Sequence, residues 1–416
     1  MSEPTQERQL FPFGEIDPNA AQLLADEVRV LVANDMTIDS VQIGREQKRD
    51  GAVIVRGQLL RPSAELFPRW LESLKKRNCT PMLRHDPESG KDNVVLRVMI
   101  GTPVPPPSKP WINLLLFVLT VISTLIVGAT YREDVMAKFN SFGDLFLPQT
   151  FLYGWPFAAS LLAILLSHEF GHYFAARYHK LAVSLPFFIP LPLPGGFSPG
   201  TMGAFIRLKA LVPDRRKLFD VGVAGPLAGL VIAIPLLLWG VSTSPVKIPP
   251  PNTAYYVEGN SLLYVAVKYI FFGKFLPDSL TGEDIFINSV TAAAWFGLLV
   301  TALNLLPVGQ LDGGHTVFAL FGNGAKRFNQ VVVVVLGLLG VASLPPVQQI
   351  FPWLSAVGYE GWFIWLALIF FVVGPYHPPA LDDVTQLDPR RRWIGYLVIV
   401  IFVLTFVPVP VRIVGM

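Results

Sequence analysis

The chain has 416 residues, of which 52% are hydrophobic and only 15% are charged, and its mean hydropathy is +0.49. Soluble domains carry about 25% charged residues, so this composition excludes an ordinary soluble protein and predicts a polytopic membrane protein. The formal net charge of +3 is too small to indicate a nucleic-acid partner. The single cysteine, Cys79, excludes an intramolecular disulfide framework and a cysteine-rich metal site.

The sequence of the amino-terminal part of the chain predicts a soluble unit. Residues 1–18 contain acidic residues and no apolar core, so we expect neither a signal peptide nor a basic transit peptide there. Residues 1–105 predict a small α+β domain that ends in the stiff proline-rich linker 102–107. Its predicted elements are a helix over 20–34, a strand over 52–57, a helix over 61–76, and strands over 81–84 and 94–100.

The remainder, 106–416, predicts a transmembrane domain with a catalytic core at about 150–320. Seven apolar stretches have roughly the length needed to cross a bilayer: 110–131, 152–178, 218–242, 287–306, 328–345, 357–374 and 393–410. The stretch 185–203 is apolar but too rich in proline and glycine for a helix, and 203–208 has strand character. Irregular backbone survives at membrane depth only inside protein or along a wet cavity, so we expect a re-entrant β-hairpin.

The distribution of basic residues predicts the orientation of this domain in the membrane. Under the seven-span prediction, the densest basic clusters fall on one side, and the opposite side keeps fewer basic residues diluted by acidic ones. The first group comprises Arg177, Lys180, Arg207, Lys209, Arg215, Arg216, Lys217, Lys326, Arg327, Arg390, Arg391 and Arg392. The positive-inside rule makes this side cytoplasmic. The amino terminus is then cytoplasmic and the carboxyl terminus lies outside.

A motif with metal-binding spacing lies at the end of the second apolar stretch. The residues 168–172 read His-Glu-Phe-Gly-His, and ionisable residues inside a membrane are costly and usually functional. His168 and His172 are four residues apart, so on a helix both imidazoles project from one face and can bind one Zn²⁺. Glu169 lies where it can remove a proton from a water at the metal.

A two-histidine zinc site needs a further protein ligand. The stretch 304–315 reads Asn-Leu-Leu-Pro-Val-Gly-Gln-Leu-Asp-Gly-Gly-His, and Pro307 should end the preceding helix. Asp312 then follows at the same end as His168 and supplies a carboxylate ligand. Asn304 is placed to donate a hydrogen bond to the substrate backbone or to a developing oxyanion.

Together these motifs resemble those of the site-2 protease family of intramembrane zinc metalloproteases. His-Glu-Phe-Gly-His matches the family's first motif, and Asn304-x-x-Pro307 with Asp312-Gly313-Gly314 matches the second. The small-residue stretch 224–229 and the proline-rich loop with the strand 202–206 match further family elements. The stretch 377–392 looks like the cyanobacterial and plastid subgroup, and no PDZ insert is recognisable. Substrate selection is therefore open and falls to the amino-terminal domain as one option.

The resemblance implies an activity and roles for named residues. His168, His172 and Asp312 would bind zinc, and Glu169 would act as general base and then as proton donor. The substrates would be single-span membrane proteins, such as anti-sigma factors or membrane-tethered regulators, cut within the bilayer. The expected location is a bacterial or cyanobacterial inner membrane or a thylakoid membrane.

Other interpretations stand beside these. An ion- or metal-coupled transporter could use His168, Glu169 and Asp312 as a relay, although the sequence has no internal repeat of the kind transporters show. We expect His179 to contact a loop or the interface, and His85 and His377 to lie in loops. His315 is either a support for the metal ligands or a structural residue. We expect Gly225 and Gly229 to serve helix packing.

Overall fold

The computed structural model of the protein describes residues 18–44, 52–86, 90, 92–102, 107–132, 142–193, 197–250, 253–278, 280–374 and 376–414. The predictions about residues 1–17 and about the linker at 103–106 lie outside these residues.

The amino-terminal α+β unit is a four-stranded sheet with two helices. Its elements in chain order are α1 (Pro18–Val32), β1 (Met36–Ile43), β2 (Val53–Leu59), α2 (Ser63–Lys76), β3 (Cys79–His85) and β4 (Asn93–Ile100). All pairings are antiparallel and the strand order is β1-β2-β4-β3, which leaves β1 and β3 at the edges. The strand β1 was not predicted, because the apolar alternation of its sequence MTIDSVQI is interrupted after Ile38, where the pairing with β2 is also irregular.

The core of this unit is made by apolar side chains of the helices and the sheet. Trp70 of α2 and Val28 of α1 are fully buried against Leu83 and Leu96 of the sheet. One further member comes from far along the chain, since Leu381 is 5% exposed and belongs to the same cluster. The unit is therefore packed directly against a segment of the carboxyl-terminal half.

The membrane part is built from helices of very different length. They are α3 (Pro110–Thr130), α4 (Pro148–Tyr178), α5 (Arg215–Thr243), α6 (Leu262–Phe272), α7 (Ser289–Asn304), α8 (Asp312–Phe321), α9 (Ala325–Val341), α10 (Pro345–Ile350), α11 (Gly361–Leu368, extended by a π-turn over Ile369–Val373) and α12 (Pro389–Thr405). Helices α3, α4 and α5 are each long and apolar enough to cross a membrane, as is the continuous helical stretch Asp312–Val341. The molecule is thus mostly helical, with four such helices in the described residues.

The other predicted spans correspond to shorter helices. The predicted span 287–306 is the 16-residue helix α7, and 357–374 corresponds to the stretch Gly361–Val373. The predicted span 328–345 overlaps the second half of Asp312–Val341 and extends past its end, and 393–410 overlaps α12, which begins at Pro389. Hydropathy alone did not locate the starts of α7 and α12, because side-chain caps set them. Asn288 accepts hydrogen bonds from Val290 N and Thr291 N, and Asp388 accepts one from Arg391 N.

The predicted hairpin is present, although its strands differ from the expected ones. Strand β5 (Phe187–Pro190) pairs antiparallel with β6 (Thr201–Phe205), so the second strand ends three residues before the predicted Leu208. Helix α3 holds the hairpin through its polar residues. Asn113 Nδ2 donates to Leu185 O at 2.9 Å, and Ser123 Oγ donates to Gly200 O at 2.6 Å.

Two small sheets lie at the distal end of the bundle, which we define as the end where α5 stops and α7 begins. Strand β7 (Val246–Lys247) pairs with β9 (Asp284–Ile285), and β8 (Tyr255–Glu258) pairs with β10 (Val411–Val414). Neither sheet was predicted, because strands of two to four residues carry too little pattern. They bring the end of the described chain back onto the loop that follows α5.

A buried acidic residue at the distal end gives a pH-dependent prediction. Glu258 accepts a hydrogen bond from Tyr264 Oη at 2.9 Å, and burial raises the pKa of its carboxyl from 4.5 to about 7, against the lowering effect of Lys268. Between these pH values the folded protein holds a proton that the unfolded chain has released, so stability should fall as pH rises from about 4.5 to about 7. We expect Glu258→Gln to flatten this dependence of the thermal midpoint in detergent. The exposed control Glu72→Gln should keep it, and a parent protein without such a fall would contradict the assignment.

Candidate metal centre

Three side chains from two distant helices converge in the bundle. His168 Nε2 lies 3.2 Å and His172 Nε2 lies 3.3 Å from the same oxygen, Asp312 Oδ2. Their side chains are only 3%, 7% and 13% exposed. The sequence predicted this set, and the structure brings it together although 140 residues separate His172 from Asp312.

The donor set fits a zinc ion. Two imidazole nitrogens and one carboxylate oxygen are ligands that zinc prefers, and bond lengths of about 2.0–2.2 Å place tetrahedral ligand atoms about 3.3 Å apart. The observed separations of 3.2 Å and 3.3 Å match this spacing. All three ligand atoms lie within 4.8 Å of one another, and they form the one such group of three among the described residues.

The orientation of the His172 ring is fixed by a hydrogen bond from the nitrogen that does not face Asp312. Its Nδ1 lies 2.7 Å from Val221 O of α5. Because a carbonyl only accepts, Nδ1 carries the proton, and Nε2 keeps its lone pair on the side of Asp312. The sequence did not identify Val221, since a backbone carbonyl leaves no mark in the residue type.

Helix α5 approaches the two histidines closely because it has glycine where they pack. A Cβ on Gly225 would lie 2.1 Å from His172 Nε2, and a Cβ on Gly229 would lie 3.2 Å from His168 Cβ. In the opposite direction, a Cβ on Gly171 of α4 would lie 2.5 Å from Ala224 O. These contacts agree with the expectation that Gly225 and Gly229 serve helix packing, and they show which side chains they accommodate.

Asp312 is positioned by a second glycine-dependent contact. Helix α7 ends at Asn304, three residues before Pro307, and α8 begins at Asp312 itself. A Cβ on Gly313 would lie 1.9 Å from Leu305 O, and one on Gly314 would lie 2.3 Å from Gly309 O. The first turn of α8 can therefore rest on the preceding turn only if both residues are glycine, and this contact aims Asp312 at α4.

Glu169 and Asn304 flank the three converging residues. Glu169 is 3% exposed, and its carboxylate faces the Ile206 backbone just beyond β6. The described residues provide no hydrogen-bond partner for its buried Oε2. Asn304 Nδ2 lies 3.4 Å from His168 Nε2. Both predicted catalytic residues thus border the candidate site, and Oε2 of Glu169 has no hydrogen-bond partner in the part of the chain that the structure describes.

The remaining histidines lie apart from these ligands. His179 Nε2 contacts Asp220 Oδ2 at 2.9 Å, and the same carboxylate pairs with Arg391, so this cluster joins α4, α5 and α12. His315 Nδ1 contacts His377 Nε2. The sequence assigned His377 to a loop, and the loop is present, but its contact with the metal-site helix α8 was missed because 62 residues separate the two histidines.

Taken together, the fold and the site define a helical membrane protein with a two-histidine, one-carboxylate metal centre. Residues 156–344 match the model of peptidase family M50. The segment 156–344 is therefore a peptidase M50 domain, the domain type of the site-2 proteases.

The names of similar proteins are consistent with this family. The chain is 31% identical to the probable chloroplastic zinc metalloprotease EGY1 of Oryza sativa subsp. japonica, over 73% of this chain and 52% of that protein. It is 30% identical to EGY1 of Arabidopsis thaliana, over 73% of this chain and 55% of that protein. It is 26% identical to EGY2 of Oryza sativa subsp. indica, over 94% of this chain and 69% of that protein. The chain thus spans about half the length of the EGY1 relatives.

Replacement of the converging residues should remove the metal. We expect Asp312→Asn and His172→Ala each to reduce the zinc content of purified protein from about one per chain to a small fraction, because two ligands rarely retain zinc. The control His179→Asn, at the residue just after the end of α4, should keep its zinc. Elemental analysis after dialysis checks this, and an equal zinc content in all three variants would exclude the site.

The glycine contact should be equally sensitive. Replacement of glycine by alanine usually stabilises a helix by about 1 kcal/mol. The methyl group of Gly225→Ala, however, would overlap with the His172 ring. That ring is held by Val221 O, so we expect at least a tenfold weaker retention of zinc against a chelator. Gly337→Ala in α9 is the matched control, because its nearest neighbour would be 3.9 Å away. Equal retention in both variants would contradict the packing argument.

Proposed function

We propose that the chain is an intramembrane zinc metalloprotease that hydrolyses a peptide bond within a transmembrane segment of its substrates. The observation that carries the proposal is the convergence of His168, His172 and Asp312 beside Glu169 in a helix long and apolar enough to cross a membrane. The peptidase M50 domain and the names of the EGY relatives as probable zinc metalloproteases support it.

The roles of the protein groups follow from their chemistry. A zinc ion held by the three side chains would supply a Lewis acid for the scissile carbonyl and would acidify the attacking water. Glu169 accepts the proton of that water on its unpartnered Oε2 and later returns it to the leaving amine. Asn304 donates from Nδ2, next to His168, to the oxygen that gains negative charge.

The hairpin is suited to hold an unwound substrate. A helical segment hides its carbonyls in hydrogen bonds to residues four positions along, so it must open before hydrolysis. The strand β6 leads into Ile206, whose backbone reaches Glu169. We propose that the substrate pairs with this strand as an added β-strand, which carries one of its peptide bonds past the candidate metal centre.

The membrane arrangement is part of the proposal. We propose seven spans, a cytoplasmic domain over 1–105, a membrane protease domain over 106–416, and a cytoplasmic amino terminus. Basic clusters at one end of the bundle support the orientation, including the Arg391 that pairs with Asp220. We place the protein in a bacterial or cyanobacterial inner membrane or in a thylakoid membrane. The relatives named above are chloroplastic.

The substrates we propose are single-span membrane proteins, with anti-sigma factors and membrane-tethered regulators as the first ones to test. The peptidase M50 domain supports the class of membrane-protein substrates. The comparisons give no support to the alternative of an ion-coupled transporter, since the matching family and the named relatives are peptidases.

Replacement of the proposed base separates metal binding from catalysis. We expect Glu169→Gln to keep about one zinc per chain and to lower cleavage of a single-span substrate by about 10²–10⁴-fold, the usual contribution of a general base. Elemental analysis and a gel-based cleavage assay in detergent or liposomes measure the two properties. The exposed Glu360→Gln is the control, with both properties unchanged. Normal cleavage by Glu169→Gln would refute the assigned role.

A further inference from the structure

One loop segment contacts both the amino-terminal unit and the candidate metal centre. It comprises residues 377–385, between the π-turn that follows α11 and the start of α12, and we call it the coupling segment. Leu381 is 5% and Asp382 is 1% exposed, so the segment is buried although it has no regular structure. The Asp382 carboxylate accepts hydrogen bonds from Val384 N and Thr385 N, which fixes the local turn.

On one side, the coupling segment extends the sheet of the amino-terminal unit. It lies parallel to the edge strand β3, with hydrogen bonds from Leu83 N to Leu381 O at 2.8 Å and from Asp383 N to Leu83 O at 3.1 Å. Arg84 Nη1 donates to Ala380 O and Leu381 O, and Ser63 Oγ lies 2.8 Å from Thr385 Oγ1. Leu381 completes the apolar core of the unit. Backbone, side-chain and apolar contacts thus all fix the unit to this segment.

On its other edge, the coupling segment pairs with the residues that lead into α5. Leu381 N donates to Val212 O at 2.9 Å, and Asp382 N donates to Pro213 O at 2.8 Å. Arg215 in the first turn of α5 donates from Nε to Asp383 Oδ1 at 2.7 Å. The segment therefore lies between β3 and the entry to α5 and is hydrogen-bonded to both.

The same segment contacts α8, the helix that begins with Asp312. His377 Nε2 meets His315 Nδ1, and the His377 ring stacks on the Phe318 ring with centroids 4.7 Å apart. Arg215, held by Asp383, lies over Phe318 at 5.4 Å. His377 thus contacts α8 directly and Asp383 contacts it through Arg215, at residues three and six positions after the ligand Asp312.

The coupling segment also borders the space beside the catalytic groups. His377 and His315 line a cavity of about 230 Å³ together with Ile206, whose backbone reaches Glu169. A displacement of the segment would therefore change the lining of this cavity as well as the contacts that position α8.

We propose that the coupling segment transmits docking of the amino-terminal unit to the metal site, with His377 as a positioning residue that holds α8, and hence Asp312, through His315 and Phe318. The inference rests on the proposed metal site, and it goes beyond the protease activity by giving the amino-terminal unit a control function. Weaker contacts between β3 and the coupling segment should therefore reduce zinc retention, although no metal ligand is changed.

The test measures zinc retention of the full chain against a chelator, together with kcat and KM for a single-span substrate. We expect His377→Ala to lose zinc about 10-fold faster, the lower end of the effect of removing a group that orients a ligand. His377→Gln, which restores a polar atom near the Nε2 position, should recover most of this loss. The matched control is the exposed His85→Ala at the end of β3, which should retain zinc like the parent.

The link to the amino-terminal unit is tested at the other side of the segment. Arg84→Ala removes the donor to Ala380 O and Leu381 O, and Ser63→Ala removes the partner of Thr385. We expect each to speed zinc loss by about 3-fold and to lower kcat more than it changes KM. The control Arg97→Ala lies on the exposed face of the neighbouring strand β4 and should behave like the parent. Arg84→Ala with His377→Ala should be no worse than His377→Ala alone, because residues acting along one path are not additive.

Two outcomes overturn the proposal. One is zinc retention by His377→Ala equal to that of His85→Ala. The other is zinc loss from Arg84→Ala and Ser63→Ala at the rate of Arg97→Ala, which would mean that docking does not reach the metal site. Zinc retention needs no substrate, so an absence of cleavage by the parent protein would refute the protease proposal and leave this test intact.

Discussion

The central constraint on this fold is the burial of four ionisable side chains in an apolar bundle. An isolated charge or an unpaired imidazole at this depth is costly, so each group must find a partner inside the protein. His168 and His172 face one oxygen of Asp312, and His172 is also bonded to Val221 O. The Glu169 carboxylate faces the Ile206 backbone, and its Oε2 has no hydrogen-bond partner among the described residues. The bundle therefore satisfies three groups mutually and leaves one acceptor for chemistry.

Close approach of backbones makes this mutual satisfaction possible. Within a bilayer, helices gain little from the hydrophobic effect and associate through packing and hydrogen bonds, which favours small residues at their contacts. Here the same device appears on two sides of the metal centre. Gly225 gives α5 room beside His172, and Gly313 with Gly314 lets α8 rest on the end of α7. The ligands are positioned by missing side chains as much as by the helices that carry them.

Local patterns predicted the parts of the site that depend on local geometry. The four-residue spacing of His168 and His172 fixes their common helix face, and Pro307 with the glycines after Asp312 fixes a turn. The ends of the predicted spans were less accurate, because side-chain caps such as Asn288 set helix ends that hydropathy cannot place. The distal sheets and the contact of His377 with His315 were not predictable. They join residues that are distant in sequence, and neither strands of two to four residues nor a loop histidine has a distinctive pattern.

The position of the amino-terminal unit follows from the needs of its sheet. An edge strand such as β3 exposes unpaired backbone groups, and proteins usually cover such edges. Here the cover is Leu381–Asp383, whose opposite edge is itself paired with Val212 and Pro213. If the unit left, the segment would keep only one of its two strand partners, and Leu381 would lose the core in which it is buried. Because His377 and Asp383 belong to this same segment, the loss would extend to the face of α8 formed by His315 and Phe318. A soluble unit joined in this way supports the metal-site helix as well as its own fold.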